Sequence, residues 1–255
     1  ATMATDEREL GAVVMAAGRG TRMRSEVPKH LHRLLGRRMV DWVLATAREL
    51  AADPLVVVAA PSTAGAFDGV EVAVQHEPLG TGDAVRSARE ALEGRAREVL
   101  VLSGDTPLLT PKLLLELLDT HHRADAWATV LAFEPDDPKA YGRVIRNGDG
   151  RLAAIVEAKD ATPEQLAVRE VNSSIYVFRA ERLWPMLERL TPQNAQGELY
   201  LTDSVALLVE EGGSVAVHKG GDPMEAEGVN TRAELADAAA GLRDRVNHEH
   251  MLAGV

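Results

Sequence analysis

The stretch from Met15 to Lys29 combines glycines with basic side chains in a spacing that suits phosphate chemistry. Its sequence is MAAGRGTRMRSEVPK, and the apolar run at positions 12–15 predicts a buried β-strand that leads into it. Gly18 and Gly20 allow the backbone to turn sharply and expose its N–H groups, and such a loop can bind phosphate oxygens through oriented amides. The side chains that would pair with a polyphosphate are Arg19, Arg22 and Lys29.

Two widespread phosphate-binding loops do not match this stretch. A dinucleotide fingerprint, G-x-G-x-x-G, would need a glycine where the chain has Met23, and a Walker A loop would need Gly-Lys followed by Ser or Thr. A tight strand-to-helix turn with solvated arginines is the alternative interpretation. The combination of glycines, arginines and a Pro28-Lys29 pair favours a phosphate site.

The distribution of charge supports an anionic ligand. The chain has 28 Lys and Arg against 39 Asp and Glu, a formal net charge of −11. Between Arg19 and Arg38, however, seven basic residues accompany one acid, Glu26, which gives a local charge of +6. A solvated face would mix the two signs, so we expect a small bound anion. The acidic remainder argues against a nucleic-acid partner.

Length and composition exclude several classes of protein. With 255 residues, one large α/β domain is as plausible as two small ones. The absence of cysteine excludes disulfides, thiolate chemistry and cysteine-based zinc sites. No apolar run approaches the ~20 residues that span a membrane, and the polar segment from Ala1 to Glu9 is unlike a signal peptide. We therefore expect a soluble cytoplasmic protein without a membrane partner.

Strand and helix patterns alternate from the start of the chain, which predicts an α/β fold with a mostly parallel central sheet. The continuous apolar runs at 55–60 and 99–102 are typical of strands buried on both faces. Thr110-Pro111 predicts the start of a helix, and Thr81 is predicted to cap another that runs to about Leu92. We divide the chain into one domain, residues 1–230, and a C-terminal helical segment, residues 231–255.

Ser103-Gly104-Asp105 directly follows the predicted strand at 99–102. In open α/β sheets, ligands bind outside the carboxyl ends of the strands, so Asp105 is placed where a metal-bound phosphate would lie. A carboxylate is a suitable ligand for Mg²⁺, which takes one or two protein carboxylates together with substrate phosphates. The alternative is an aspartate that caps the next turn through Pro107, and these residues alone leave the two interpretations about even.

Further short motifs occur in a specific order and spacing along the chain. They are Gln75 to Gly82 (with Gly80-Thr81-Gly82), Tyr141 to Arg143, Ile155 to Ala161, Glu170 to Asn172, Asn194 to Glu198 and Glu227 to Asn230. With the glycine loop and Asp105, they resemble the uridyltransferase domain of the bifunctional N-acetylglucosamine-1-phosphate uridyltransferase/glucosamine-1-phosphate acetyltransferase family. The resemblance extends from about Gly11 to Val255.

This resemblance implies a Rossmann-like nucleotidyltransferase fold with helices on both faces of the sheet. It also implies the reaction of UTP with N-acetylglucosamine 1-phosphate to UDP-N-acetylglucosamine and pyrophosphate, which supplies a precursor of bacterial cell-wall polysaccharide. The cofactor is implied to be Mg²⁺, held by Asp105 and Asn230. Arg22 and Lys29 are implied to be catalytic residues that contact the phosphates.

The resemblance implies two groups of substrate-binding residues. Those for the nucleotide and its phosphates are Met15, Ala16, Ala17, Gly18, Lys29, Gln75, Gly80 and Thr81, and Ser103, Gly104, Asp105 and Asn230 are implied to bind substrate beside them. Those for the sugar are Gly142, Glu157, Asn172 and the region of Tyr141. A related enzyme that uses another sugar phosphate or another base would share the loop, Lys29 and Asp105. A binding module without turnover would be expected to lack Lys29, Asp105 or Asn230, and all three are present.

The chain departs from the family pattern at several positions. Met15 replaces a leucine, Asp83 stands where histidine is frequent, and Ser174 follows Ser173 where the family often has glycine. The family continues into a left-handed β-helix that carries the acetyltransferase and the trimer contacts. For residues 1–255 alone we expect uridyltransferase without acetyltransferase activity, in a monomer or weak oligomer.

Overall fold

The computed structural model describes residues 8–138 and 140–255, so most of the polar N-terminal segment considered above lies outside the described residues. The strands are β1 (Arg8–Ala16), β2 (Arg33–Leu34), β3 (Arg37–Arg38), β4 (Leu55–Ala59), β5 (Glu71–Val74), β6 (Ala96–Ser103), β7 (Ala128–Phe133), β8 (Arg143–Arg146), β9 (Leu152–Val156), β10 (Val171–Arg179) and β11 (Val215–Lys219). The α-helices are α1 (Met39–Glu49), α2 (Thr81–Ser87), α3 (Arg89–Leu92), α4 (Pro111–Arg123), α5 (Pro163–Leu166), α6 (Ala180–Leu187), α7 (Leu201–Glu210), α8 (Pro223–Ala226) and α9 (Arg232–Leu252).

A central sheet organises the described part of the chain. Its main path runs in the order β11-β7-β10-β6-β1-β4-β5, and β8 and β9 extend it beside β10. Strands β6, β1, β4 and β5 are mutually parallel, whereas β10 is antiparallel to both of its neighbours on this path, β6 and β7. The prediction of a mostly parallel sheet is confirmed.

Apolar side chains cover both faces of the sheet, because alternate residues of a strand point to opposite sides. Val13 and Met15 pack in one core with α2, α6 and α7. Ala12 and Val14 pack in the other core with α1 and α4. The predicted helices on both faces are therefore confirmed, and the continuous apolar runs become β4 and β6.

Two helix starts show where local signals succeed and where tertiary contacts override them. Thr110 caps α4 by accepting a hydrogen bond from the Leu113 N–H at 3.2 Å, as predicted. The prediction for Thr81 is wrong, because Thr81 is the first residue of α2 and its hydroxyl accepts a hydrogen bond from the Leu201 N–H at 3.0 Å. The predicted continuous helix is also divided into α2 and α3 at Ala88.

Helix α9 packs on the body of the protein through part of its length. Ala238 and Leu242 contribute to a small apolar core with Leu34, Leu108 and Val229. The helix thereby closes over the loop that precedes it, where Asn230 lies. Among the described residues, no helix is both long enough and apolar enough to cross a membrane.

Candidate functional site

The glycine loop and Asp105 meet because the strands before them are parallel neighbours. In the register of β1 and β6, Met15 lies beside Ser103, so both chains leave the sheet at the same edge. The Gly104 N–H then donates a hydrogen bond to the Met15 carbonyl at 2.9 Å. The sheet therefore brings together two motifs that lie almost 90 residues apart in the sequence, 15–18 and 103–105.

Glycine is required at position 20 so that Lys29 can approach the loop. Gly20 has a φ of +59°, and a Cβ added there would lie 2.3 Å from the Lys29 Cβ. Short 3-10 turns at Thr21–Met23 and Lys29–Leu31 fold the segment back on itself. As a result Lys29 is buried, although its charge favours solvent.

Two polar side chains bind the Lys29 ammonium, and two more bind those partners. Lys29 Nζ donates hydrogen bonds to Asp105 Oδ2 and, at 2.7 Å, to Asn230 Oδ1. Arg22 Nη2 donates to the same Asn230 oxygen at 2.8 Å, and Ser103 Oγ donates to Asp105 Oδ1 at 2.6 Å. The predicted catalytic pair and the predicted metal ligands thus form one connected cluster.

Burial and charge oppose each other at Asp105. Burial raises the pKa of the Asp105 carboxyl, but the Lys29 ammonium and the Ser103 hydroxyl favour the carboxylate, and the net pKa lies below its usual value. Burial lowers the pKa of the neighbouring His30 to about 4, against the opposing effect of the Asp105 carboxylate. At neutral pH the cluster therefore contains an ionised Asp105 and an uncharged His30.

Asn230 is held by the start of α9. Thr231 caps the helix in a capping box with Glu234, whose carboxylate accepts hydrogen bonds from the Asn230 N–H at 2.7 Å and the Thr231 N–H at 3.0 Å. Asn230 Nδ2 donates to the Gly228 carbonyl at 3.2 Å, which turns Oδ1 toward Lys29. The Val229 N–H bonds to the Asp105 carbonyl at 2.8 Å and ties this loop to the end of β6.

A cavity of about 650 Å³ opens beside this cluster, between the glycine loop and the start of α2. Most of the residues predicted to bind the nucleotide, its phosphates or the metal line it: Met15, Ala17, Gly18, Arg22, Lys29, Gln75, Gly80, Thr81, Ser103, Asp105 and Asn230. Ala16 and Gly104 are buried behind its wall, where a Cβ added to Gly104 would lie 3.4 Å from the Ala16 Cβ. The predicted nucleotide residues therefore belong to one region.

Gly80 permits a close approach of backbone that shapes the far wall of this cavity. It has a φ of +117°, and an added Cβ would lie 2.6 Å from the Leu199 carbonyl oxygen. The Leu199 N–H donates a hydrogen bond to the Leu79 carbonyl at 2.7 Å, and the Leu199 carbonyl accepts one from the Gly82 N–H at 2.8 Å. The start of α2 is consequently fixed against the segment that precedes α7.

The predicted sugar residues form a second cluster. The Asn172 N–H donates to the Gly142 carbonyl at 2.9 Å, and a Cβ on Gly142 would lie 3.5 Å from both carboxylate oxygens of Glu157. None of these three residues lines the 650 Å³ cavity. Asn172 Oδ1 accepts a hydrogen bond from the Ser174 N–H at 3.0 Å, and Ser174 does line that cavity, so the two clusters are adjacent.

Glu157 differs from Asp105 in its electrostatic surroundings. Burial raises the pKa of its carboxyl, the carboxylates of Asp203, Asp160 and Glu198 raise it further, and the hydrogen bond from the Thr202 hydroxyl opposes them. No cation compensates the charge in this set of interactions. A neutral partner rich in hydroxyl donors, such as a sugar, would suit this carboxylate.

A recess of about 170 Å³ adjoins Asp105 and Asn230, and its lining includes Glu234, which the sequence did not indicate. The Tyr141 hydroxyl accepts a hydrogen bond from the Gly228 N–H at 3.0 Å there. Ser174 lines both this recess and the larger cavity. His30 follows Lys29 in the basic loop, is buried, and its ring lies 3.6 Å from the Cβ position of Gly18. No periodicity or spacing marks a single buried histidine.

Asp105 and Asn230 fit the donor chemistry of Mg²⁺. Their oxygen atoms already share a cation, the Lys29 ammonium, so they converge on one position. In the described residues no cluster of three or more His, Cys, Asp or Glu could hold a metal ion. One carboxylate and one amide oxygen match an ion that takes few protein ligands and completes its shell with waters and phosphates.

An open α/β sheet with a glycine loop, convergent cations and hard oxygen donors at its carboxyl edge defines a nucleotidyltransferase type of site. Comparison with known families agrees. The family described as MobA-like NTP transferase domain matches residues 12–201, which is most of the chain, and the chain belongs to this family.

Curated relatives are similar over almost the whole chain. The bifunctional protein GlmU of Pelotomaculum thermopropionicum is 46% identical over 251 residues, covering 97% of this chain and 55% of that protein. GlmU of Trichlorobacter lovleyi is 46% identical, with 96% and 54% covered, and GlmU of Mycobacterium tuberculosis is 44% identical, with 97% and 52% covered. The chain spans about half the length of these relatives. The resemblance to a bifunctional family is confirmed.

Proposed function

We propose that this chain transfers a uridylyl group from UTP to N-acetylglucosamine 1-phosphate and releases pyrophosphate. The observation that carries the proposal is the Lys29 ammonium, which joins Asp105 and Asn230 beside the glycine loop. Cations and hard oxygen donors converge there at the edge of a nucleotide-sized cavity. The similarity to GlmU proteins supports UDP-N-acetylglucosamine, a cell-wall precursor, as the product.

In this proposal the two clusters bind the two substrates. UTP would occupy the 650 Å³ cavity, with its phosphates on the backbone of residues 15–18 and its base near Gln75, Gly80 and Thr81. The sugar would lie toward Gly142, Glu157 and Asn172. The hydroxyl groups of the sugar would donate hydrogen bonds to the Glu157 carboxylate, whose pKa is raised by burial and by the neighbouring carboxylates.

Such a reaction needs no nucleophilic side chain. A phosphate oxygen of the sugar phosphate attacks the α-phosphorus of UTP, and the bond to the β-phosphate oxygen breaks as pyrophosphate leaves. The protein must therefore align the substrates and compensate their charge. Lys29 and Arg22 supply two positive charges within one hydrogen-bonded cluster. Asp105 and Asn230 would hold Mg²⁺, and the chemistry that the bound ion supplies is charge neutralisation between the α-phosphate and the attacking phosphate.

The test is pyrophosphate release from UTP and Mg²⁺ with a panel of hexose and N-acetylhexosamine 1-phosphates. We expect the highest kcat/KM with N-acetylglucosamine 1-phosphate, and UDP-N-acetylglucosamine as the product by mass spectrometry. Faster turnover with another sugar phosphate or another nucleoside triphosphate would assign the related specificity instead. UTP binding without turnover of any sugar phosphate would refute the enzymatic proposal.

A further inference from the structure

Gln75 directly follows β5 and lines the cavity, and the hydrogens of its amide group are already bonded within the protein. Its Nε2 donates two hydrogen bonds, to the Gly80 carbonyl at 3.1 Å and to Asp83 Oδ2 at 2.9 Å. An amide NH₂ has two hydrogens, so both are used. Gln75 is buried, and Oε1 is the polar atom of its side chain that remains for a molecule in the cavity.

The orientation of this amide follows from its neighbours. The Gly80 carbonyl is an acceptor only. Asp83 accepts the Gln75 hydrogen bond through Oδ2 and, through Oδ1, a hydrogen bond from Arg86 Nη2 at 2.6 Å within an ion pair. Rotating the Gln75 amide by 180° would place Oε1 against two acceptor oxygens, which is unfavourable.

We propose that Asp83 is a positioning residue for base selectivity, acting through Gln75 because it does not itself line the cavity. This inference rests on the proposed function, in which UTP occupies the cavity. Uracil presents an N3–H donor between two carbonyls, whereas cytosine has an acceptor at N3. A carboxamide oxygen fixed toward the base edge pairs with uracil N3–H and opposes the lone pair of cytosine N3. Polarity fixed in this way separates two bases of the same size.

The hydrogen bonds of Asp83 to Arg86 and Gln75 suggest a substitution that would reverse the orientation of the Gln75 amide. In Asp83→Asn, Arg86 still requires an acceptor, so the Asn oxygen faces Arg86 and the NH₂ group faces Gln75. That favours Gln75 with Oε1 toward position 83 and Nε2 toward the base, against the Gly80 carbonyl, which still favours the original orientation. We expect the ratio of kcat/KM for UTP over CTP to fall about tenfold in this variant.

A second substitution should restore the original polarity. In Asp83→Asn with Arg86→Glu, the new carboxylate accepts from the Asn NH₂, so the Asn oxygen faces Gln75 again. The UTP over CTP ratio should return to within about threefold of the wild-type ratio. The control Arg86→Met keeps the Asp83 carboxylate beside Gln75, and we expect it to leave the ratio unchanged. A merely structural role for Asp83 would lower both rates together in every variant.

Two measurements separate failure of this inference from failure of the proposed function. One is turnover with UTP and CTP, and the other is calorimetric binding of each nucleotide without sugar phosphate. Wild-type protein that binds UTP over CTP without transferring uridylyl overturns the proposed function alone. Equal use of UTP and CTP by wild type, or an unchanged ratio in Asp83→Asn, overturns this inference. If Asp83→Asn does not fold, Asp83→Ala replaces it, with a smaller expected fall of about threefold.

Discussion

Lys29 and Asp105 are separated by 76 positions in the sequence, yet the Lys29 ammonium donates a hydrogen bond to the Asp105 carboxylate. Both side chains are largely buried, with 10% and 15% of their surface exposed. Two charges removed from water are each costly unless they compensate one another. In the proposed reaction a nucleotide at the glycine loop would offer Lys29 phosphate oxygens in place of Asp105, and the ion pair holds both side chains beside that loop.

Asp105→Asn should reduce uridylyl transfer at least ~100-fold. The amide removes a charged oxygen ligand and leaves the buried Lys29 ammonium without its carboxylate. Pyrophosphate release should be measured over a range of Mg²⁺ concentrations, with circular dichroism to verify folding. Asp244→Asn, which changes an exposed carboxylate on α9, is the matched control. Near-normal turnover of Asp105→Asn at ordinary Mg²⁺ would contradict the role assigned to Asp105.

Lys29→Met and Arg22→Met should slow the reaction with every accepted sugar phosphate by a similar factor, on the order of 10²-fold. The reason is that both cations meet at Asn230 Oδ1, beside the glycine loop where we propose that the phosphates bind. The measurement is kcat/KM for each substrate of the panel. Arg37→Met is the control from the same basic stretch, since Arg37 stacks over Trp42 outside the cavity. A variant that changed sugar preference would be inconsistent with phosphate contacts.

The sequence predicted those parts of the site that depend on local signals. A buried parallel strand ends at a ligand edge, so the residues after Met15 and Leu102 were predicted without knowledge of the strand order. Helix α4 followed from Thr110 and Pro111 in the same way. These features require only a few consecutive residues, and the fold preserves them.

Other features depend on contacts between distant segments. The Asn172 amide is bound at both ends, to the Ser174 N–H and the Tyr176 hydroxyl, through an irregularity of β10 that no local pattern marks. Thr81 appeared to be a cap, but Leu201 binds its hydroxyl. Asp83 is only a departure from the family pattern in the sequence, and the fold is needed to bring its carboxylate to the Gln75 amide.

Glu157→Gln should stabilise the protein at neutral pH while weakening sugar binding. The pKa of Glu157 is raised in the folded state, so the ionised form is disfavoured by folding. Below the ordinary pKa of glutamate both states are protonated and this penalty is absent. The penalty grows as pH rises through the raised pKa and is complete above it. The Tm difference between variant and wild type should therefore increase from pH 4 to pH 8.

Glu71→Gln is a control for Glu157→Gln, because its effect on stability at neutral pH should have the opposite sign. A side-chain hydrogen bond from Arg95 lowers the pKa of Glu71, so this variant should lose stability at neutral pH and lose less as pH falls. For Glu157→Gln we also expect a higher KM for the sugar phosphate and a nearly unchanged KM for UTP. A pH-independent Tm difference would contradict the uncompensated charge, and a raised KM for UTP alone would contradict the sugar assignment.

Ser174→Gly should stabilise the fold and change the sugar pocket. Ser174 has a φ of +63°, a conformation that costs a side-chain-bearing residue about 1–2 kcal/mol, while glycine loses roughly 0.5–1 kcal/mol through its more flexible unfolded chain. The free energy of unfolding in urea should therefore rise by about 0.5–1 kcal/mol. Its neighbour Ser173 is the matched control, because its hydroxyl donates to the buried Leu131 carbonyl at 2.7 Å and Ser173→Gly should destabilise the protein.

Since Ser174 lines both the 650 Å³ cavity and the adjoining recess, Ser174→Gly should alter KM for the sugar phosphate more than kcat. Lower stability of Ser174→Gly would show that the Ser174 side chain contributes more than its backbone conformation costs.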